Sequence, residues 1–480
     1  MGFDAIWISP VVENIANVKF LFKLLTIFFI HMFELLIGYH GYWAQDFYTL
    51  NSYFGDEDTF SQLASAIHER GMYLMIDVVA NHVGNPPITT TMTCPMCNIE
   101  DWNDQSQVEQ CRLSGLPDLN QSVSYVNSSL CDWVSEYVVG KWKADGLRID
   151  TVSEVHPDPF WTDFARAAGV YAVGEVDNGD PTYVGPYQNY LPGVLNYPMF
   201  YSIRNAFGAQ QSISSNLLSM AAANQQDFKD WTLLGTFVDN HDNDRFLCDY
   251  PDAVSVHNSK ELLAGNCSVN DQSKQDCGYV GITESQCTTQ SCCWQEVNPN
   301  PNNYPWCYYP LGQSSSYRQY ENALNFVLTY VGIPIIYYGT EQAFHGCQDP
   351  NNREPLWPSS YDTTATLYQF LQVVITARKT MQIWSYNSWN VVYSANNALA
   401  YTRGSQFLVL LTNVGDDGST LSLSFNPQLS SGKYCNVFWP SQDCFTYSSG
   451  SVAFSLLSGE TKIYIPSDKI SDWSVNYYKH

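Results

Sequence analysis

The sequence has few charged residues, and few of those are basic. Asp, Glu, Lys and Arg account for 14% of its 480 residues, whereas an average soluble domain has about 25%. There are 22 Lys and Arg against 47 Asp and Glu, which gives a formal net charge of −25. A chain with so few positive charges is not expected to bind nucleic acid. Aromatic residues make up 15% of the chain, a content that excludes a coiled coil or a disordered protein.

Cysteine, by contrast, is abundant for a cytosolic enzyme. The chain has 14 cysteines, and six of them lie between Cys267 and Cys307. This cluster lacks the His partners and the paired C-x-x-C spacing of zinc sites, so it indicates a disulfide framework. Three N-x-S/T sequons, at Asn120, Asn127 and Asn266, are compatible with glycosylation. We therefore expect a secreted glycoprotein.

The beginning of the chain does not have the pattern of a secretory signal. Residues 1–10 have the apolar pattern of a buried strand, without a basic region or cleavage site, so we expect that the true start is missing. Residues 18–37 then form an apolar run long enough to span a bilayer, interrupted by two lysines, a histidine and a glutamate. A transmembrane helix, an inserted amphipathic helix and a gene-model error all remain as explanations. We favour a translated intron and expect no membrane association, because both flanks have the character of soluble enzyme.

Five short apolar runs downstream each end at acidic or polar residues. Such runs are typical of parallel strands that are buried on both faces. The segments between them, such as residues 59–70, have helical periodicity. The runs cover residues 72–76, 146–149, 170–174, 233–238 and 333–338, and they are followed by Asp77, Asp150, Glu175, residues 239–242 and residues 339–341.

The spacing of these carboxylates fits a repeating unit of one strand and one helix. Asp150 and Glu175 are 25 residues apart, about one such unit, and Glu175 and Asp242 are 67 apart, about two. This pattern predicts a (β/α)8 barrel, in which functional side chains meet at the C-terminal ends of the strands. A doubly wound sheet is the alternative, but no glycine-rich phosphate loop follows any of the runs.

Several carboxylates at one barrel mouth, together with Arg148, His82 and His241, suit glycoside hydrolysis. That reaction uses one carboxylate as nucleophile or base and a second as proton donor. The abundant Tyr and Trp suit stacking against sugar rings. Any one of these acids could equally well cap a strand or form an ion pair, but four of them together favour a catalytic role.

Four motifs in these strands resemble the signature strands of the α-amylase family. They are DVVANH (residues 77–82), GLRIDTV (146–152), GEV (174–176) and FVDNHD (237–242). Connecting segments resemble the fungal-type α-amylases, including YHGYWAQD (39–46), LPDL (116–119), GVLNYPMFY (193–201) and DPNNRE (349–354). The resemblance covers most of the chain apart from residues 18–37 and the cysteine-rich insert.

The resemblance implies a role for each motif residue in a reaction that retains the anomeric configuration. Asp150 is the implied nucleophile, Glu175 the acid/base, and Asp242 the carboxylate that orients the substrate and stabilises the transition state. Arg148, two residues before the nucleophile, is positioned to keep Asp150 ionised. The positions implied to bind sugar are Tyr42, Trp43, His82, Arg148, Gly179, His241, Asp349 and Arg353.

The resemblance also implies Ca²⁺, bound between the barrel and a small domain inserted at about residues 83–120. The implied ligands are the side chains of Asn81 and Asp118 and the backbone oxygens of Glu109 and Glu154. Ligation by oxygen alone suits this cation. One departure from the fungal-type pattern is that Ser153 and Glu154 stand where those enzymes usually have Lys-His.

The cysteine-rich insert, residues 264–310, resembles a trefoil (P-type) module. This implies the pairs Cys267–Cys293, Cys277–Cys292 and Cys287–Cys307, which should stabilise a module too small for a hydrophobic core. Cys97 and Cys111 lie where the fungal-type enzymes have a disulfide. Among the rest, Cys248 could pair with Cys347 and Cys435 with Cys444, while Cys94 and Cys131 are unassigned.

The expected architecture is a (β/α)8 barrel over residues 1–380, with its first strand and helix missing. It is interrupted by the calcium-binding domain and the trefoil module. From residue 381 onward, short alternating strands with Gly, Ser and Asn turns predict a β-sandwich. The expected protein is a secreted, monomeric, calcium-dependent α-amylase that cleaves α-1,4 bonds within starch or glycogen. The alternatives are an α-glucosidase or maltogenic hydrolase of the same family, or a starch-binding protein without catalysis.

Overall fold

The structure is a computed structural model that describes most of the chain. The described residues are 1–15, 40–84, 97–251, 255–256, 283–289, 293–300, 304, 306–308, 315–416 and 419–470. The apolar run at residues 18–37 lies outside them, as do Cys94, Cys267, Cys277 and Cys292. The chain divides into two compact units: the first contains Phe3–Pro198 and Ala223–Gly235, and the second contains Met1–Gly2, Met199–Ala222 and Thr236–His480.

The first unit contains a five-stranded parallel sheet with the order β1-β4-β5-β6-β7. A separate antiparallel pair, β2 with β3, precedes its second strand. The strands are β1 (Ala5–Ile8), β2 (Val12–Asn14), β3 (Ala44–Leu50), β4 (Tyr73–Val78), β5 (Gly146–Ile149), β6 (Tyr171–Gly174) and β7 (Gly193–Val194).

Helices connect the parallel strands, as the sequence periodicity predicts. Asp56 caps the N-terminus of the first helix, and its side chain accepts a hydrogen bond from Thr59 N. The fourth helix packs Phe160, Trp161 and Phe164 into the core of this unit. The helices are α1 (Glu57–Glu69), α2 (Gln105–Gln110), α3 (Ser124–Trp133), which continues as a π-helical segment (Val134–Lys141), α4 (Phe160–Ala168) and α5 (Pro181–Val184).

The predicted strands agree with the structure in position more closely than in length and burial. β4, β5 and β6 confirm the runs that end at Asp77, Asp150 and Glu175. The prediction that residues 1–10 form a buried strand is correct for the strand and wrong for the burial, because β1 is an edge strand and Ile6 is 40% exposed. The eight-stranded barrel and its missing first strand stay predictions.

The chain passes between the two units within α6 (Tyr197–Ile203), α7 (Ser219–Asp227) and β8 (Gly235–Thr236). The strand predicted at residues 233–238 is shorter in the structure, where β8 covers two residues. A 3₁₀ turn at Trp231–Leu233 precedes it. Further elements of the second unit are α8 (Phe246–Asp249), β9 (Ser255–Val256), α9 (Glu284–Thr289), β10 (Cys293–Trp294), β11 (Cys307–Tyr308), β12 (Ser315–Ser316), α10 (Arg318–Thr329), β13 (Ile333–Pro334) and α11 (Thr366–Met381).

The strands after α11 form two antiparallel sheets, as the alternating pattern predicts. One sheet has the order β14-β15-β16-β21-β18-β19 and the other pairs β17 with β20. Leu423 and Phe454 from the smaller sheet pack with Leu408 and Tyr464 from the larger one. The strands are β14 (Asn390–Ser394), β15 (Ala398–Arg403), β16 (Phe407–Thr412), β17 (Thr420–Phe425), β18 (Gly432–Asn436), β19 (Cys444–Tyr447), β20 (Val452–Leu457) and β21 (Lys462–Pro466).

Four disulfides lie within the described residues, and all four were predicted. They are Cys97–Cys111, Cys248–Cys347, Cys287–Cys307 and Cys435–Cys444. Cys293 is also disulfide-bonded, whereas Cys131 is a free thiol. In the described part of the chain, no helix combines the length and the apolar character that a bilayer span needs.

Candidate active site

A buried arginine, Arg148, lies at the centre of a carboxylate cluster in the first unit. Its Nη1 atom is 2.9 Å from Asp77 Oδ1 and 2.7 Å from Asp150 Oδ1, and its Nη2 atom is 2.7 Å from Glu175 Oε1. Burial opposes the charge on Arg148, but the three carboxylates raise its pKa. The cation thus stays charged in a buried position, where attraction between charges is strong.

The register of the parallel strands explains why these side chains meet. In the sheet, Arg148 on β5 pairs with Asp77 on β4 and with Val173 on β6. The same ladder continues beyond the strands, because Asp150 N donates to Val78 O and Glu175 N donates to Ile149 O. All these residues therefore lie at the C-terminal edge of one sheet, as predicted.

The backbone just beyond β5 is in an unusual conformation. Thr151 has φ 50° and ψ 48°, in the left-handed region that β-branched residues rarely adopt. Its N–H donates to Glu175 Oε2 at 3.1 Å. The strain of this residue is thus associated with a direct contact to the acid at the end of β6.

Asp77 is a member of the cluster to which the sequence motifs assigned no individual role. Its Oδ2 atom accepts hydrogen bonds from Trp7 Nε1 (3.1 Å) and Tyr42 Oη (2.8 Å). Burial raises the pKa of Asp77 to about 7, an effect that the charge of Arg148 opposes and that of Asp150 reinforces. The sequence signal that could have identified Asp77 as a site residue was its position at the end of an apolar run.

Glu175 has the environment that a proton donor requires. Burial raises the pKa of its carboxyl group, and the charge of Asp150 and a hydrogen bond between the two carboxyl groups raise it further. Arg148 and the Thr151 N–H act in the opposite direction. A third donor to Glu175, Tyr197, lies in the GVLNYPMFY segment, but no sequence pattern predicted its contact.

Besides Arg148, four of the predicted sugar-binding residues lie in the first unit. Tyr42 contacts Asp77, and Trp43 N donates to Asn14 Oδ1 at 2.8 Å. His82 is buried, which lowers its pKa to about 4, and its Nε2 atom lies 3.1 Å from Tyr42 O. Gly179 is exposed in the turn before α5.

The other predicted site residues form a second cluster, in the second unit. His241 Nε2 lies 3.2 Å from Asp242 Oδ2, and Arg353 Nη2 lies 3.5 Å from Asp242 Oδ1. Arg353 Nε is 2.6 Å from Asp349 Oδ1. The Asp242 side chain is 39% exposed, so a ligand could reach its carboxylate.

Two loops of this unit, residues 239–245 and 345–354, are joined by buried polar contacts that the sequence analysis did not anticipate. Asn352 is fully buried, and its Nδ2 atom donates to His241 O and Asn243 O, both at 2.9 Å. Arg245 donates to Asn352 O and forms an ion pair with Glu354. These contacts support the backbone on both sides of Asp242 and Arg353.

Oxygen atoms of the predicted calcium ligands converge in the first unit. The backbone of Leu119 donates through its N–H to Asn81 O, and Asp118 and His82 form an isolated antiparallel β-bridge. The segments that carry Asn81 and Asp118 therefore run side by side. One terminal atom of the Asn81 amide lies 2.8 Å from Asp118 Oδ1 and 3.1 Å from Glu154 O. The other lies 3.2 Å from His82 Nδ1.

The tautomer of His82 indicates which amide atom faces the two oxygens. Because Nε2 faces the carbonyl of Tyr42, it carries the hydrogen, and Nδ1 of the neutral ring then accepts. The NH₂ group of Asn81 must face Nδ1, which leaves its oxygen beside Asp118 and Glu154 O. Three oxygens in contact fit a hard cation such as Ca²⁺.

The fourth predicted ligand, Glu109, lies on a helix that packs beside this oxygen cluster. Gln105 Nε2, on the same helix, donates to Glu109 Oε1 and to Ser153 O, both at 3.0 Å. The side chain of Glu154 has a pKa raised to about 8, mainly by burial and next by the charge of Glu175.

Another acidic group within the described residues, Asp244 with Cys248 and Asp249, is less suitable for a metal. Cys248 is in a disulfide, and Asp249 forms an ion pair with Arg204.

Comparison with protein families agrees with the motifs. The α-amylase catalytic domain family matches residues 1–91 and 96–281, and the trefoil (P-type) domain family matches residues 267–310. An α-amylase of Saccharomycopsis fibuligera is 34% identical over 496 residues, covering 98% of this chain and 83% of that protein. Alpha-amylase 2 of Schwanniomyces occidentalis is 31% identical over 500 residues, covering 98% of this chain and 82% of that protein.

Solved structures of α-amylases are similar over nearly the whole chain. The α-amylase of Malbranchea cinnamomea matches with a TM-score of 0.77 at 29% identity, covering 99% of this chain and 88% of that one. The α-amylase of Geobacillus thermoleovorans, solved in complex with acarbose, matches with a TM-score of 0.72 at 25% identity. The match covers 96% of this chain and 88% of that one.

Proposed function

The chain belongs to the α-amylase family of glycoside hydrolases, and from this premise we propose that it cleaves internal α-1,4-glucosidic bonds of starch or glycogen with retention of configuration. The observation that carries the proposal is the contact of Asp150 and Glu175 with the same guanidinium group. Two carboxylates on one arginine are close together, and a retaining mechanism requires a separation of about 5–5.5 Å.

In the proposed reaction, Glu175 first donates its proton to the glycosidic oxygen. Asp150 attacks the anomeric carbon as that bond breaks, which forms a covalent glycosyl ester. Glu175, now a carboxylate, then takes a proton from water, and the resulting hydroxide displaces Asp150 from the sugar. The raised pKa of Glu175 and the contact of Arg148 with Asp150 support this division of roles.

Asp242 is the proposed third carboxylate, which orients the sugar and stabilises the oxocarbenium-like transition state. Its contacts with His241 and Arg353 hold an exposed carboxylate that can accept hydrogen bonds from sugar hydroxyls. Tyr42, Trp43, His82, Gly179 and Asp349 are the further proposed sugar-binding residues.

Ca²⁺ is the proposed resident metal, held by Asn81, Asp118 and the backbone oxygens of Glu109 and Glu154. When bound, it would link the segments that carry its ligands and stabilise them against unfolding. The chain's own residues already bring Asn81, Asp118 and Glu154 together at the end of β4.

The proposed domains are a catalytic barrel over residues 1–380, a calcium-binding insertion at 83–120, a trefoil module at 264–310 and a sandwich at 381–480. The disulfides and the fungal relatives support secretion. We further propose that the enzyme acts as a monomer on starch-type glucans.

The test is hydrolysis of soluble starch by the parent chain and by Glu175→Gln and Asp150→Asn variants, followed by ¹H NMR of the first product. We expect α-configured maltooligosaccharides from the parent and a loss of roughly 10⁴-fold or more in both variants. A β-configured product would rule out the retaining mechanism, and full activity of the variants would rule out the site.

A further inference from the structure

Tyr197 lies directly beside the proposed acid/base and is fully buried. Its hydroxyl donates to Glu175 Oε1 at 3.3 Å. The parallel register explains the contact: Leu195 N donates to Gly174 O, one residue before Glu175, and the chain then turns into α6 at Tyr197. The hydroxyl is therefore held in place by the sheet rather than by a flexible loop.

The two oxygens of Glu175 have different donors. Oε1 receives Arg148 Nη2 at 2.7 Å and the Tyr197 hydroxyl at 3.3 Å, whereas Oε2 receives the Thr151 N–H at 3.1 Å. A carboxyl oxygen has two lone pairs in the carboxyl plane, and a hydroxyl proton uses one of those positions. With two donors, Oε1 has no position left for a proton. The remaining position, on Oε2, is then the one available for the proton of the hydrogen bond between Glu175 and Asp150.

We propose that Tyr197 is a positioning residue that keeps the transferable proton of Glu175 on Oε2. Arg148 alone would leave one position on Oε1 open, so the proton could reside on either oxygen, and only one of them can face the glycosidic bond. Tyr197 fills that position. This inference depends on the proposed role of Glu175 as acid/base.

The charged and titratable groups that face Glu175 are Arg148, Asp150 and Glu154, and Tyr197 adds a neutral donor to them. A donor to a carboxylate favours its ionised form. Loss of the Tyr197 hydroxyl should therefore raise the pKa of Glu175 and let its proton reside on the wrong oxygen. Acid catalysis becomes less efficient, while binding of the glucan stays the same.

Tyr197→Phe tests this, with Tyr171→Phe as the matched control. Tyr171 lies at the other end of β6, and its hydroxyl donates to Leu233 O at 2.8 Å, far along the strand from Glu175. The substrates are two aryl maltotriosides, one with a nitrophenyl leaving group that needs little proton assistance and one with a methylphenyl leaving group that needs much.

For Tyr197→Phe we expect roughly a tenfold lower kcat on the methylphenyl substrate, the equivalent of one weak charge-assisted hydrogen bond. The change on the nitrophenyl substrate should be within about twofold, and KM should be unchanged. The alkaline limb of the kcat/KM profile should move to higher pH. Replacement of Tyr197 by 3-fluorotyrosine, a stronger donor of the same shape, should move that limb to lower pH.

Equal losses on both substrates, or a Tyr197→Phe variant that behaves like Tyr171→Phe, would overturn the inference. So would a fluorotyrosine protein with an unchanged pH profile, a result that does not depend on the folding of the phenylalanine variant. Glu175→Gln separates the two proposals. If it is inactive while Tyr197→Phe is normal, only this inference fails, but if it is active, the proposed function fails.

Discussion

Arg148 and Asp150 are joined by a hydrogen bond of 2.7 Å in which the arginine side chain is only 1% exposed. A buried cation at this distance stabilises the ionised form of the carboxylate. The same guanidinium contacts Asp77 and Glu175, so one positive charge serves three acids. Arg148 therefore determines both the reactivity of the proposed nucleophile and the stability of the sheet edge.

Replacement of Arg148 by lysine should strongly reduce both the activity and the stability of the protein. A single ammonium group cannot contact three carboxylates as the two ends of a guanidinium do. We expect a loss of at least about 10³-fold in kcat and of about 3–5 kcal/mol in the free energy of unfolding. The control is Arg166→Lys, at a pair with Asp163 in which the arginine side chain is 73% exposed. Urea unfolding should show a change there of less than about 0.5 kcal/mol, and comparable effects at both positions would contradict the prediction.

The raised pKa of Asp77 should appear as a pH dependence of stability. Burial raises this pKa to about 7, so between about pH 4 and 7 the folded chain holds a proton that the unfolded chain releases. The contribution of Asp77 to the free energy of unfolding is therefore fully present at low pH. It decreases as the pH rises, by up to about 1.4 kcal/mol per pH unit. The Asp77→Asn variant should lack this contribution. Unfolding free energies of both proteins from pH 4 to 7 test it, and a constant difference between them would contradict the prediction.

Calcium binding can be tested at Asp118. A chelator should lower the melting temperature of the parent chain, because bound Ca²⁺ stabilises the folded state. Asp118→Ala should melt at the lower temperature with or without chelator, and calorimetric titration should show no Ca²⁺ binding. The control is Asp244→Asn, in the other acidic group. If this variant loses Ca²⁺ binding while Asp118→Ala keeps it, the proposed ligands are wrong.

Asn352 should affect activity through the backbone of the loop that carries Asp242. Its amide donates to His241 O and Asn243 O, so Asn352→Ala leaves two partly buried carbonyls without this donor. We expect a loss of about 1–3 kcal/mol in stability and of at least about tenfold in kcat/KM.

The matched control for this position is Asn322→Ala. Asn322 is also fully buried and donates to two carbonyls, Arg318 O and Gly459 O. A similar loss of stability with normal kinetic constants is expected there. Equal kinetic effects in the two variants would mean that Asn352 has no specific role in positioning Asp242.

Local sequence patterns predicted the parts of the fold that depend on local interactions. β5 and β6 end where Asp150 and Glu175 begin, since continuous apolar runs mark strands buried on both faces. The alternating residues after 381 likewise predicted β15 and β16. The exposure of β1 could not be predicted in this way, because it depends on which strands pair with it rather than on its own residues.

The site was predictable where its residues follow strands and unpredictable where they come from distant segments. Arg148 lies on β5, and Asp150 and Glu175 directly follow the adjacent strands β5 and β6. Trp7 and Tyr197 contact the cluster through pairings far apart in sequence, and no local signal distinguishes them from core aromatics. The left-handed backbone at Thr151 is similarly a consequence of tertiary packing.

The most direct test of the proposed mechanism is to trap the glycosyl ester and identify the residue that carries it. Treatment of the Glu175→Gln variant with a 5-fluoro-α-maltotriosyl fluoride, followed by peptide mass spectrometry, locates the labelled carboxylate. The retaining mechanism predicts a single label on Asp150, which is absent from the Asp150→Asn variant. A label on Asp242 or Asp77, or a rapidly formed β-configured product without any label, would contradict it.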